Sequence, residues 1–433
     1  MVAGEAVTHA DLALLGGSRA CDFQLPYGPV FDEEEEHALL RVCRSGRWWL
    51  PSAWQGHDLE GTGIVSEVVA FEREFGDFHG VPFTSATCSG TAALDTVVRA
   101  CGFDIGDEVI VPAYSYIATA TCALQNNLVP VFVDIDPQTY NLDPARVEEA
   151  ITTRTRAVIA VHFAGQVADV DALRDLCDRR GLRLIEDAAQ AHGAEWMGRG
   201  AGSLGDAGIF SFQGSKNMTA GEGGAITTSD ARLSETLESF IWGGRERGRP
   251  WYEVHRLGWT YRMTEFQAAI LRVQLKRLAS QNSRRERAAE RLNAQLAEIE
   301  CLTPLSRDPR ATRCAHHLYA LKYDPAVGGI SRSLLLKALA AEGVPAFSGY
   351  ELPLYANPLF GEQRFINGAF PLGSAYHDHV AYQDFAARCP VTERACRNEA
   401  IWMTHDVLLA TDAELDAIAE AFRKVGTQTR RLR

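Results

Sequence analysis

The sequence has no apolar run approaching the ~18 residues that a membrane-spanning helix needs. It has no excess of basic charge: 43 Lys and Arg stand against 56 Asp and Glu, a formal net charge of −13. Nonspecific nucleic-acid binding and adhesion to an anionic membrane both require a basic face, so neither is expected. The first twenty residues carry Glu5 and Asp11 and no Lys or Arg before Arg19, the reverse of a secretory signal's basic start. A cytoplasmic location is expected. None of the ten cysteines falls in a Cys-x-x-Cys pair, which points to small core residues rather than disulfides or zinc ligands. There is no His-Glu-x-x-His, and the adjacent His316 and His317 cannot share one face of a helix or strand, so no metal site is expected. No G-x-G-x-x-G fingerprint follows a first strand. Gly214-Ser215-Lys216-Asn217 lacks the upstream glycine and the following Ser or Thr of a P-loop.

What is present suffices for a large folded protein. The chain has 433 residues, 46% of them apolar and 23% charged, enough for two or three domains. Residues 1–30 read as an N-terminal extension. Glu33 to Val42 and Val65 to His79 read as helices. From Gly90 to Ala189, short apolar runs (Val109 to Pro112, Val129 to Asp134, Ala157 to Phe163, Leu182 to Ile185) alternate with helical stretches of about ten residues. That alternation predicts an α/β fold with a mostly parallel central sheet and helices on both faces. Asp143 is placed to cap one helix and Gly181 to end another. The expected division is a large domain over 31–285 and a smaller C-terminal α+β domain over 286–433, linked by a long helical stretch, Thr264 to Ile299.

Four local features carry chemistry. Ser89-Gly90-Thr91 opens a helix and offers free N–H groups and hydroxyls to an anion. Asp187 follows an apolar strand at its C-terminal end, where a carboxylate with little solvent wants a cationic partner. Lys216 lies between the aromatic strand Phe210-Ser211-Phe212 and the turn Gly221 to Gly224; a desolvated lysine there has a lowered pKa and attacks carbonyls. Tyr116, just past a strand, is placed to stack on a planar ring. Each feature has an ordinary structural reading when taken singly. Jointly they supply what pyridoxal 5′-phosphate (PLP) requires: an amine for the aldehyde, a carboxylate for the ring nitrogen, a flat face, and donors for the phosphate. The 29 positions from Asp187 to Lys216 fit two neighbouring strands of one sheet.

The stretches Ser89 to Leu94, Gly106-Asp107-Glu108-Val109, Glu186 to Ala194 and Phe210-Ser211-Phe212 through Gly223-Gly224 resemble the DegT/DnrJ/EryC1/StrS aminotransferases, over about Glu33 to the C-terminus. The resemblance implies a fold-type I PLP enzyme acting as a homodimer with shared active sites. It makes Lys216 the lysine that condenses with the cofactor, Asp187 the partner of the ring nitrogen and Gln190 a neighbour of the ring hydroxyl. Tyr116 takes the ring-stacking position. Ser89, Gly90, Thr91 and Ser211 fall at the phosphate. One departure stands out: where the family usually has an Asn reaching the neighbouring subunit's phosphate, this chain has Thr260, with Arg262 nearby. The stretch around Lys216 resembles keto-cyclitol aminotransferases and aminohydroxybenzoate synthases more than many nucleotide-sugar enzymes, and Trp48, Trp49, His162 and His405 are the candidates for the acceptor site. The implied reaction moves an amino group from glutamine or glutamate to a keto-cyclitol or keto-sugar in aminoglycoside-like secondary metabolism, with ping-pong kinetics. Two alternatives stay open: dehydration or aromatisation of an aminated ring, and a non-catalytic PLP-binding sensor.

Overall fold

The computed structural model describes residues 11–54, 66–361 and 380–432. Residues 1–10 of the expected extension, and Val65 at the expected start of the second helix, lie outside the described residues. Seven strands form the main sheet: β1 (Phe83–Thr87), β2 (Glu108–Pro112), β3 (Val129–Val133), β4 (Thr155–Val161), β5 (Arg183–Asp187), β6 (Ala207–Ser211) and β7 (Gly224–Thr228). Their spatial order is β1-β7-β6-β5-β4-β2-β3. The β2–β3, β2–β4, β4–β5 and β5–β6 pairs are parallel, and β7 alone runs against its neighbours β1 and β6. Strands β2, β3, β6 and β7 are buried at every residue, which is why they read as unbroken apolar or small-residue runs. The mostly parallel α/β sheet expected from the sequence is present.

Helices α1 (Glu33–Ser45), α2 (Glu67–His79), α3 (Gly90–Ala100), α4 (Ala118–Gln125), α5 (Pro144–Ala150), α6 (Val170–Arg180) and α7 (Ala231–Ile241) belong to this lobe. The Asp143 side chain accepts from the N–H of Ala145 at the start of α5, and Gly181 ends α6 at φ 66°.

The long helix α8 (Glu265–Leu296) begins with a reciprocal cap between Thr264 and Gln267. Its first half puts Ala268, Leu271, Leu275 and Leu278 against Phe71, Phe75, Phe210 and Phe212 of the large lobe. Its second half puts Ala288, Ala289, Leu292 and Leu296 into a separate core. The expected division at 285/286 therefore falls inside one continuous helix. The second core is closed by β8 (Leu302–Pro304), β9 (Leu318–Tyr323) and β10 (Ala400–Thr404), an antiparallel three-stranded sheet, with α9 (Arg332–Ala341) and α10 (Asp412–Thr427).

Two segments cross between regions of the chain. Leu12 and Cys21 of the extension are buried in the small-lobe core. There the fully buried Glu342 accepts the N–H groups of Ala13 (2.8 Å) and Ala20 (3.0 Å). The Lys424 ammonium donates to Glu342 (2.8 Å) and to the Ser18 carbonyl (2.7 Å). In the other direction, Tyr355, Phe360, Tyr382 and Phe385 pack edge-on around Phe132 of β3, in the large core.

Candidate active site

Ligands of parallel sheets bind beyond the C-terminal ends of the strands, and here those ends deliver Asp187 from β5 and Ser211 from β6. Asp187 is 5% exposed. Its Oδ2 accepts from the Thr119 hydroxyl at 2.9 Å, which is itself paired with Ser115 at 2.8 Å, and its Oδ1 accepts from the Ala189 N–H at 3.2 Å. Burial raises the Asp187 pKa above the ordinary carboxylate range, while these hydrogen bonds and the charge of Lys216 offset part of the rise. The carboxylate is thus buried and held in one orientation.

Ser89 caps α3 by accepting the N–H of Ala92 at 3.1 Å, which leaves the N–H groups of Gly90 and Thr91 at a helix N-terminus. Ser211 lies directly against this turn. A Cβ at Gly90 would stand 2.7 Å from the Ser211 Cβ, and one at Gly224 would stand 2.4 Å from the Ser89 carbonyl. The absence of side chains at both positions keeps open a cradle of N–H and hydroxyl donors, and that donor set fits a phosphate.

The segment after β6 turns back on itself: the N–H of Phe212 bonds the Gly223 carbonyl and that of Ala220 bonds Phe212. This turn carries Lys216, half-buried, opposite Asp187. Burial pushes the Lys216 amine down to about 8, against the opposing pull of Asp187. Gln190 is buried beside them; its Oε1 accepts from Ala164 (2.8 Å) and its amide donates to the Tyr350 hydroxyl oxygen. Tyr116 stands at the mouth, 61% exposed.

A nucleophilic amine, a carboxylate and a phosphate cradle thus meet beyond the C-terminal ends of the central strands β5 and β6. Residues 61–423 match the profile of the DegT/DnrJ/EryC1/StrS aminotransferase family. The chain belongs to this family. The L-glutamine:2-deoxy-scyllo-inosose aminotransferase of Streptoalloteichus tenebrarius is 42% identical over 399 residues, covering 90% of this chain and 91% of that protein. The crystal structure of 3-amino-5-hydroxybenzoic acid synthase matches with a TM-score of 0.82 at 34% identity, over 94% of this chain and 99% of that one. The PLP form of a protein assigned as a sugar aminotransferase in Streptococcus pneumoniae matches with a TM-score of 0.78 at 25% identity, over 94% and 99% of the two chains.

Within this DegT/DnrJ/EryC1/StrS aminotransferase the remaining sequence candidates are scattered. Thr260 is exposed and bridges to Trp242. Arg262 pairs through its main chain with Thr87 and sets its guanidinium over the rings of Trp242 (5.0 Å) and Trp49 (5.6 Å). Trp48 and Trp49 are about half exposed and pack on Phe266 and Trp251.

His162 does not face an acceptor. It is fully buried, with Nε2 bonded to Glu186 (2.9 Å) and Nδ1 accepting from Ala168 (3.2 Å), so no ring nitrogen is left for substrate. His405 is 6% exposed, and both of its nitrogens are likewise engaged, by Arg285 and by the Ser215 carbonyl. It touches the lysine loop from behind.

Sequence reasoning missed Thr119, Tyr350 and Glu186. Glu186 takes three main-chain N–H groups, from Gly202 (2.8 Å), Leu204 (2.6 Å) and Gly205 (2.6 Å), and so fixes the end of β5. The one signal for Thr119 was its place in the first turn of the helix after β2.

Proposed function

We propose that this aminotransferase carries an amino group from L-glutamine to a keto-cyclitol, using PLP held between Asp187 and Lys216, and that it works as a homodimer in the cytoplasm. The observation that carries the reading is the convergence of Lys216, Asp187 and the Gly90–Ser211 cradle in a chain 42% identical, over nine-tenths of its length, to a glutamine-dependent keto-cyclitol aminotransferase. Gly90, Thr91, Ser89 and Ser211 would hold the phosphate, Gln190 would lie near the ring hydroxyl, and Tyr116 would cover one face. Thr260 and Arg262 would reach the partner's site. Bound there, PLP supplies an aldehyde and a ring that takes up the electron pair freed when the donor's α C–H bond is broken.

The chain's own residues do the rest. Asp187, held by Thr119 and Ala189, keeps a proton on the ring nitrogen. Lys216, whose amine burial pushes down to about 8, takes the α proton of the donor as a base and returns it as an acid. The same amine runs the sequence in reverse on the keto acceptor.

The test is incubation with glutamine or glutamate and a panel of keto-cyclitols and nucleotide keto-sugars, read by product mass. An aminated cyclitol formed with glutamine supports the reading. The fold neighbour named as a 3-amino-5-hydroxybenzoic acid synthase motivates a second reading, ring dehydration or aromatisation. A product lighter by water favours that second reading. No spectral change with either amino donor leaves only a PLP-binding protein and overturns both.

A further inference from the structure

The residues on either side of Lys216 are each bonded to a histidine of the small lobe. His405 follows β10 and His317 precedes β9, and their rings lie 5.8 Å apart at 28°. His405 Nε2 is 3.1 Å from the carbonyl of Ser215, the residue before Lys216. His317 Nδ1 is 3.1 Å from the side-chain oxygen of Asn217, the residue after it. The Asn217 amide is oriented by donating to the Ala315 carbonyl at 2.7 Å.

The tautomer of His405 is dictated by its other neighbour. Arg285, on α8, approaches Nδ1 at 3.2 Å. A guanidinium has only N–H donors, so Nδ1 must accept, and the ring's one proton sits on Nε2. That proton has one acceptor within reach, the Ser215 carbonyl. Arg285 is itself 1% exposed and is fixed by Asn282 (3.0 Å) and Gln281 (3.3 Å) on its own helix. Burial and the facing Arg285 charge hold His405 down to about 4, and the ring stays neutral through the working range. An imidazolium would set a second N–H against the guanidinium.

We propose that His405 is a positioning residue: locked by Arg285 as the Nε2–H tautomer, it pins the Ser215 carbonyl and thereby aims Lys216 at the cofactor aldehyde. The hydrogen bond ties the reactive loop of the large lobe to the small lobe and to the helix that spans both. The inference rests on Lys216 being the reactive amine.

The experiment adds PLP to the cofactor-free enzyme, quenches with borohydride at timed intervals, and maps the label. His405→Gln keeps an amide N–H where the imidazole has Nε2, whereas His405→Asn carries its amide nearer Nδ1, short of the carbonyl. In the Asn variant, capture at Lys216 and kcat are expected to fall on the order of tenfold, with KM for glutamine unchanged, because misaiming a reacting group slows the step without weakening binding. The Gln variant should return to within about twofold of the parent. Equal behaviour of the two variants, or parental capture in Asn, overturns the proposal. Should Asn fail to fold, nitrogen NMR of the parent's imidazoles decides: a His405 proton on Nε2 supports it and one on Nδ1 refutes it. Parent label anywhere but position 216 sinks the reading of Lys216 itself, whereas label at 216 with uniform capture sinks only the bracket.

Discussion

A lysine half out of water beside a buried carboxylate makes the cofactor-free protein sensitive to pH. The Lys216 amine titrates near 8 in the fold against an ordinary 10.5. The unfolded chain therefore binds the extra proton between those values, so stability rises with pH across the window, and the full penalty applies below about 8. Lys216→Met is expected to stabilise the cofactor-free protein at pH 7, by on the order of 2 kcal/mol, and to flatten its stability between pH 8 and 10.5. Denaturant melts of both proteins at pH 7 and 10 check this; an equal slope with pH in the two would show that Lys216 is not desolvated. Asp187 was legible because it ends a short buried strand, where a charged residue is out of pattern, and Lys216 because it sits between an aromatic strand and a glycine-rich turn. His162 also follows such a strand, yet its ring turns under the sheet to Glu186. Sequence gives the position of a residue at a strand end but not the side on which it emerges, and that side separates a ligand from a strut. Thr119 was hidden for a different reason: a threonine in a helix of small residues carries no signal until β5 is folded beside it.

At the level of elements, the alternation of runs and helices marked the four parallel strands β2 to β5, but neither β1 nor the reversal of β7. A five-residue buried run carries no mark of its direction. Nor did any periodicity announce that the extension completes the small-lobe core, since the contacts of Leu12 and Cys21 are made with elements more than two hundred positions away. The Glu342–Lys424 pair makes that attachment testable. Lys424→Met strips the cation from a fully buried carboxylate that still holds the N–H groups of Ala13 and Ala20. The expected cost is about 3 kcal/mol, together with faster proteolysis near Ser18. Unchanged melting and cleavage would mean that the extension is held by apolar contacts alone.

For the whole molecule, one stretch among the described residues exposes several large apolar groups close together in sequence. Trp48 and Trp49 are joined by Tyr252 (89% exposed), Val254 and Leu257 (80% exposed), on the same loop region that carries Thr260. The proposed dimer would cover such a surface with a second copy of the chain. Sedimentation is expected to give about twice 47.5 kDa, and Leu257→Asp should shift the protein toward monomer and lower turnover while leaving the monomer's melting within about 0.5 kcal/mol. A parent that sediments as a monomer at micromolar concentration would refute the shared site.

The attachment of the extension also sets an order of assembly. Ser18 and Lys424 are 406 positions apart, so residues 12–21 leave the ribosome long before the helix that receives them exists. The large lobe can form meanwhile, but the small lobe closes only after Phe422 and Lys424 have been made. A chain stalled short of Phe422 would display Leu12 and Cys21 to the solvent, an exposed apolar tag by which quality control could recognise the unfinished product.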